Sequence, residues 1–131
     1  MKEFMFFIRK QVDSKETLSP ERHQQFLKSC ESYIGKLKSE RKLISAQPIE
    51  RQGKIIGNTN GEWKDSPFND PDSYRGKEVI GGYYHILAEN LEEAIAIAKK
   101  NPEFEYNPYT RIEVRPIKMN EETTGFIYPK H

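Results

Sequence analysis

Apolar residues alternate from Glu3 to Arg9, with Phe4, Phe6 and Ile8 on one side and Met5 and Phe7 on the other. A period of two predicts a strand, and apolar residues on both sides predict a central one covered on both faces. The period then changes. His23, Phe26, Leu27, Cys30, Tyr33, Ile34 and Leu37 recur in steps of three and four, the single stripe of an amphipathic helix. Ser19 suits its N-cap, Pro20 its first position and Glu21 its positive first turn.

Leu43 to Glu50 reads as a second strand, and Gln52-Gly53 as a turn into a short third one at Lys54 to Ile56. From Gly57 to Lys77 the chain is polar and rich in turn residues, which predicts a long connection over the surface. "EVIGGYYHIL" has the β-branched and aromatic content of a strand, and its glycines admit the close approach of another group. Asn90 opens a second helix, with Glu93 at capping-box spacing and Leu91, Ala94, Ile95 and Ala98 as its buried side. Asn101-Pro102 ends it. "TRIEVRPIK" is the last strand, with Ile112 and Val114 on one side, and the tail from Met119 to His131 has weak strand character at "GFIY".

The order β-α-β-(β)-β-α-β is an α+β arrangement, the ferredoxin-like split βαβ with an extra hairpin and a long loop. Its two helices cover one sheet face. The other would carry residues such as Met5, Phe7, Tyr83 or Tyr84, and stacking it on a second copy would remove them from water, so a homodimer is expected. The domain is drawn over residues 1–118, with 57–77 as a pocket loop and 119–131 as a tail that packs on the dimer.

Composition narrows the classes. A chain of 131 residues forms one domain with one core. The 21 basic and 20 acidic residues cancel to a net charge of +1, which removes the electrostatic argument for nucleic acid. One cysteine, Cys30, forms no internal disulfide and suits a reducing compartment. No apolar run reaches the roughly 20 residues that span a bilayer, and "MKEFMFFIRK" lacks a small-residue cleavage pattern, so a cytoplasmic protein is expected. With no cluster at metal-ligand spacing around His23, His85 or His131, no metal is expected. Tyr83 and Tyr84 are adjacent and so face opposite sides, unlike the base-stacking aromatics of RNA-recognition sheets.

"DSPF", "KEVIGGYY", "NLEEAIAIAKKNP" and "EVRPI", with "LSPE" ahead of the first helix, together resemble the YCII-related proteins, in particular the branch named for an Asp-Gly-Pro-Phe motif. The resemblance covers nearly the whole chain, and it implies a dimeric α+β barrel, two ferredoxin-like sheets face to face. It also implies a cleft where some members carry a proposed His and Asp acid–base pair. His23 matches the histidine early in the first helix, and Asp65 begins the motif. Ser66 stands where the motif has Gly, and about five extra residues within "NDPDSYRG" lengthen the spacer before "KEVIGGYY" relative to the branch pattern.

Each candidate has a functional and a plain structural reading. His23 would exchange a proton with a ligand, or pack on Leu18 as the polar half of a hydrophobic staple. Asp65 would orient His23 or act as a base itself, or it would form an Asx-turn before Ser66-Pro67. Trp63, Ser66, Phe68 and Tyr83 would wall a site for a small polar or aromatic ligand, or pin the loop to the sheet. Arg9 would bind a ligand carboxylate, or be solvated at a strand end. These roles add up to a small enzyme without cofactor, carrying out elimination or hydrolysis as a lyase or hydrolase. The alternative is a non-catalytic ligand-binding or regulatory module using the same cleft. A cofactor-free monooxygenase rests on fold analogy alone.

Overall fold

The computed structural model describes residues 1–11, 18–67 and 78–129. Strand β1 (Lys2–Gln11) has Phe4, Phe6 and Ile8 buried and the residues between them half-buried, as its alternation requires. It pairs antiparallel with β5 (Glu78–Ala88) on one side and with β6 (Arg111–Pro116) on the other. Strand β2 (Leu43–Pro48) adds to the far side of β5, giving the order β2-β5-β1-β6. With its helices on one face of an antiparallel sheet, this is the expected ferredoxin-like α+β arrangement.

Helix α1 (Pro20–Ser39) starts as its residues dictate, with Ser19 Oγ accepting from Arg22 N–H at 3.1 Å and proline in the first turn. Its C-terminal half packs on the core through Tyr33, Ile34 and Leu37. The N-terminal half of the stripe does not. Leu27 is half-exposed, and His23, Phe26 and Cys30 are only partly covered. Helix α2 (Leu91–Lys99) is capped by Asn90, whose Oδ1 accepts from Glu93 N–H at 2.8 Å. Its buried side is Ala94, Ile97 and Ala98, while Leu91 and Ile95, expected inside, lie largely outside. With Ala94 and Ala98 on the sheet side, Leu91 and Ile95 are turned outward. A short helix α3 (Glu103–Tyr106) follows Asn101-Pro102, and sequence pattern did not reveal it.

The polar stretch after β2 differs most from expectation. Strand β3 (Ile55–Thr59) pairs with β4 (Glu62–Ser66), not with β2, so Gln52-Gly53 is not the hairpin turn. The turn is Asn60-Gly61, both with positive φ (53° and 87°), and Asn58 Oδ1 accepts from Gly61 N–H at 3.0 Å. A two-residue Asn-Gly loop matches the twist of paired strands and sets their register. Residues 57–66 therefore form most of a projecting hairpin, not an irregular loop. The remainder of the expected loop, 68–77, lies outside the described residues.

Among the described residues no helix covers the second sheet face. Met5, Phe7, Tyr83, His85 and Leu87 are half-buried there, whereas Tyr84 points into the helix-side core at 8% exposure. The tail folds back on itself through an Asn120–Ile127 bridge, with Tyr128 N–H donating to Met119 O at 2.9 Å.

Candidate functional site

Where the N-terminal half of α1 stands away from the sheet, it leaves a cleft of about 760 Å³. Phe26, Leu27 and Ile34 form one wall, and Ile8, Ala46 and Tyr84 the facing floor. Two glycines shape it. Gly81 is the extra residue of a bulge, since Ile8 pairs with Gly82 and Arg9 with Ile80. A Cβ at Gly81 would meet Lys10 Cδ at 3.1 Å, so its absence seats the lysine stem. A Cβ at Gly82 would stand 3.1 Å from Gln47 O, so β2 lies close to β5 only because that side chain is missing. The close approach expected of this Gly-Gly pair is thus observed, and it borders the cleft.

At one end of the cleft Lys10 Nζ stands 3.3 Å from Glu103 Oε2. Glu103 is 6% exposed, and its other oxygen accepts from Asn107 Nδ2. Cys30, also on the wall, has its thiol pushed up to about 11, mainly by burial, so it is a poor nucleophile at neutral pH. Burial likewise pushes the Tyr84 phenol up to about 12 and raises that of Tyr33, whose hydroxyl donates to Ile97 O at 2.7 Å.

His23 lines this cleft, with its ring tilted against Phe26 at 6.3 Å between centroids. Tyr83 borders it too, although its hydroxyl reaches Ser45 Oγ at 3.1 Å. Arg9, Trp63, Asp65 and Ser66 are not among the residues that line it. Asp65 belongs to β4, opposite Ile56, so it forms no Asx-turn; it is 63% exposed and 3.9 Å from Lys54 Nζ. It is absent from the cleft lining that contains His23. Ser66 and Trp63 are exposed on the same hairpin, Trp63 at 74%. Phe68 lies outside the described residues.

Arg9, partly exposed, is paired with carboxylates of its own chain. Its Nε donates to Glu78 Oε1 at 3.2 Å and its Nη1 to Glu113 Oε1 at 2.9 Å. Arg111 Nε donates to Glu78 Oε2 at 2.8 Å. The hydrogen bonds from Arg111, with the one from Arg9, hold the Glu78 carboxyl below the usual carboxylate range. At the other end of the open face, His85 Nε2 and Glu3 Oε1 are 2.7 Å apart.

Lys10, Cys30 and Glu103 were missed as site residues. Only the two glycines gave a local signal, because Lys10 and Glu103 meet through tertiary packing, with α3 held against α1 by Tyr106 on Phe26 and Ser29. Among the described residues no group of three or more metal-ligating side chains occurs, and no helix is long and apolar enough to cross a membrane.

No curated protein matches the chain. Residues 4–118, from β1 past the end of β6, match the YCII-related domain, and the chain belongs to that family.

Proposed function

We propose that this YCII-related protein takes a small, partly aromatic ligand into the cleft between α1 and the sheet, and that His23 exchanges a proton with it. The observation that carries this reading is the position of His23 on the lining of a cleft whose walls are mainly apolar. Such a site desolvates a ligand body and leaves a few polar groups to orient it. The reaction that suits a lone imidazole without cofactor is elimination or hydrolysis driven by proton transfer. A second reading, a non-catalytic binding or regulatory module, draws support from Asp65, which is exposed and absent from the lining that holds His23. Asp65 to Phe68 and "KEVIGGYY" also favour the Asp-Gly-Pro-Phe branch.

Titrating isotope-labelled protein with a library of small aromatic acids, ketones and lactones, followed by nuclear magnetic resonance, should move the amides of Phe26, Gly81 and Gly82. His23→Ala should weaken the best binder at least about tenfold, and abolish any turnover of it, while Asp65→Asn should leave binding unchanged. Turnover that survives His23→Ala would remove the acid–base role. Binders that move none of these amides would remove the cleft.

The protein also acts, on this reading, as a homodimer in the reducing cytoplasm, with open sheet faces stacked over Met5, Phe7 and Leu87. Their exposure to water in a lone chain, beside a shallow 370 Å³ depression that includes Met5 and Phe7, supports it. Sedimentation equilibrium should give twice the 15.4 kDa chain mass, and Phe7→Asp should return it to one chain. A wild-type protein that sediments as one chain across the micromolar range would end the dimer reading.

A further inference from the structure

The cleft has one charged feature built into its end. Lys10 and Glu103 both line it, with side chains only 20% and 8% exposed. Burying a carboxylate and an ammonium is costly unless each is paired, and the geometry supplies the pairing. Glu103 is used on both oxygens, by Lys10 Nζ at 3.3 Å and by Asn107 Nδ2. Its backbone N–H is also held, by Asn101 Oδ1 at 2.9 Å. The carboxylate is therefore fixed. The lysine is not used up: an ammonium carries three N–H donors, and among the described residues Glu103 is its one recorded polar partner. Gly81 leaves the room in which its stem lies.

We propose that the Lys10–Glu103 pair is the polar anchor of the cleft, selecting a ligand with an uncharged hydrogen-bond-accepting head, such as a ketone carbonyl on an apolar body, over a carboxylate of the same shape. The proposal rests on the small-ligand reading of the cleft and goes on to name the ligand's head group. With both carboxylate oxygens already engaged and lysine donors remaining, the anchor binds an acceptor. Because the pair sums to zero charge, an incoming carboxylate meets repulsion from Glu103 as well as attraction to Lys10, and it loses hydration on entry. A carbonyl loses far less. Among the described residues, the other charged side chains on the lining are Glu50 and Arg51, again of opposite sign.

Acetophenone, benzoate and ethylbenzene share a ring and differ in the head, so they serve as probes in magnetic resonance titrations of the full chain. Acetophenone should bind wild-type protein about tenfold more tightly than either of the others, with the Gly81 and Gly82 amides moving. Lys10→Met should erase the advantage of acetophenone over ethylbenzene. Glu103→Gln, which keeps the shape and removes the charge, should leave Lys10 uncompensated and make benzoate the tightest of the three. This variant carries the test if Lys10→Met fails to fold. Benzoate binding the wild type as well as acetophenone, or an unchanged order in Glu103→Gln, overturns the anchor. Equal binding of all three in the cleft overturns the anchor and spares the cleft. If none moves a cleft amide, both fall.

Discussion

Truncating Phe6 to alanine should lower the unfolding free energy by about 3–5 kcal/mol, the largest loss expected of any single substitution outside a turn. Phe6 is fully buried at the centre of β1, between Tyr84 on β5 and Val114 on β6. Its ring is tilted against that of Tyr84, with centroids 6.4 Å apart. Two sheet neighbours and the overlying helices enclose it, so the vacated space cannot close without moving backbone that is hydrogen-bonded on both edges. The cost is the lost transfer free energy plus the residual cavity. A domain of this size is stable by about 5–15 kcal/mol, so the variant would keep only part of its stability. Urea unfolding followed by circular dichroism measures it. A shift below about 1 kcal/mol would mean that the core rearranges around the gap and that Phe6 is not its keystone.

The next largest effect is expected from Glu78→Gln. Glu78 is 8% exposed and receives hydrogen bonds from both Arg9 and Arg111. Hydrogen bonds between charged groups contribute more than neutral ones, but Arg111 is 71% exposed and screened by water. A loss of about 1–2 kcal/mol at neutral pH is therefore expected, mostly through Arg9. The pH dependence has a definite sign. The folded carboxyl titrates below the ordinary value of 4.5 because Arg111 and Arg9 favour its charged form. Its contribution is thus fully present above that value and is lost as the pH falls through the depressed one. Unfolding curves of the two proteins should lie apart at neutral pH and converge in acid. A gap that stayed constant down to pH 3 would place the effect of Glu78 in packing and not in charge.

Much of the frame was legible because it depends on local chemistry. The alternation in β1 reports its two faces, and the Ser19-Pro20 and Asn90 caps mark helix starts because an unsatisfied N–H has few other partners. The hairpin was harder. Asn60-Gly61 is a strong turn signal, but Gly57, Asn58, Lys64 and Asp65 beside it are polar, so no alternation announced paired strands. Consequently Asp65 was expected in a loop and lies on a strand. In α2 the periodicity was right and Ala94 and Ala98 lie inside as expected, but Leu91 and Ile95, at the same spacing, face outward and Ile97 packs on the core instead.

The same division holds for the site. From the sequence alone came the family resemblance, His23 near the start of the first helix, and a Gly-Gly step where another group comes close. Each is a property of a short segment, readable from neighbours a few residues away. The tertiary structure decided that α1 leaves the sheet at its N-terminal half, that Asp65 is an exposed strand residue outside the cleft lining that holds His23, and that Lys10 meets Glu103 in the cleft. It also paired Arg9 with Glu78 and Glu113 on the open face, where a ligand-binding arginine had been expected. These are meetings of residues far apart along the chain. No local pattern encodes them, because the forces that bring such side chains together act through the packing of whole elements.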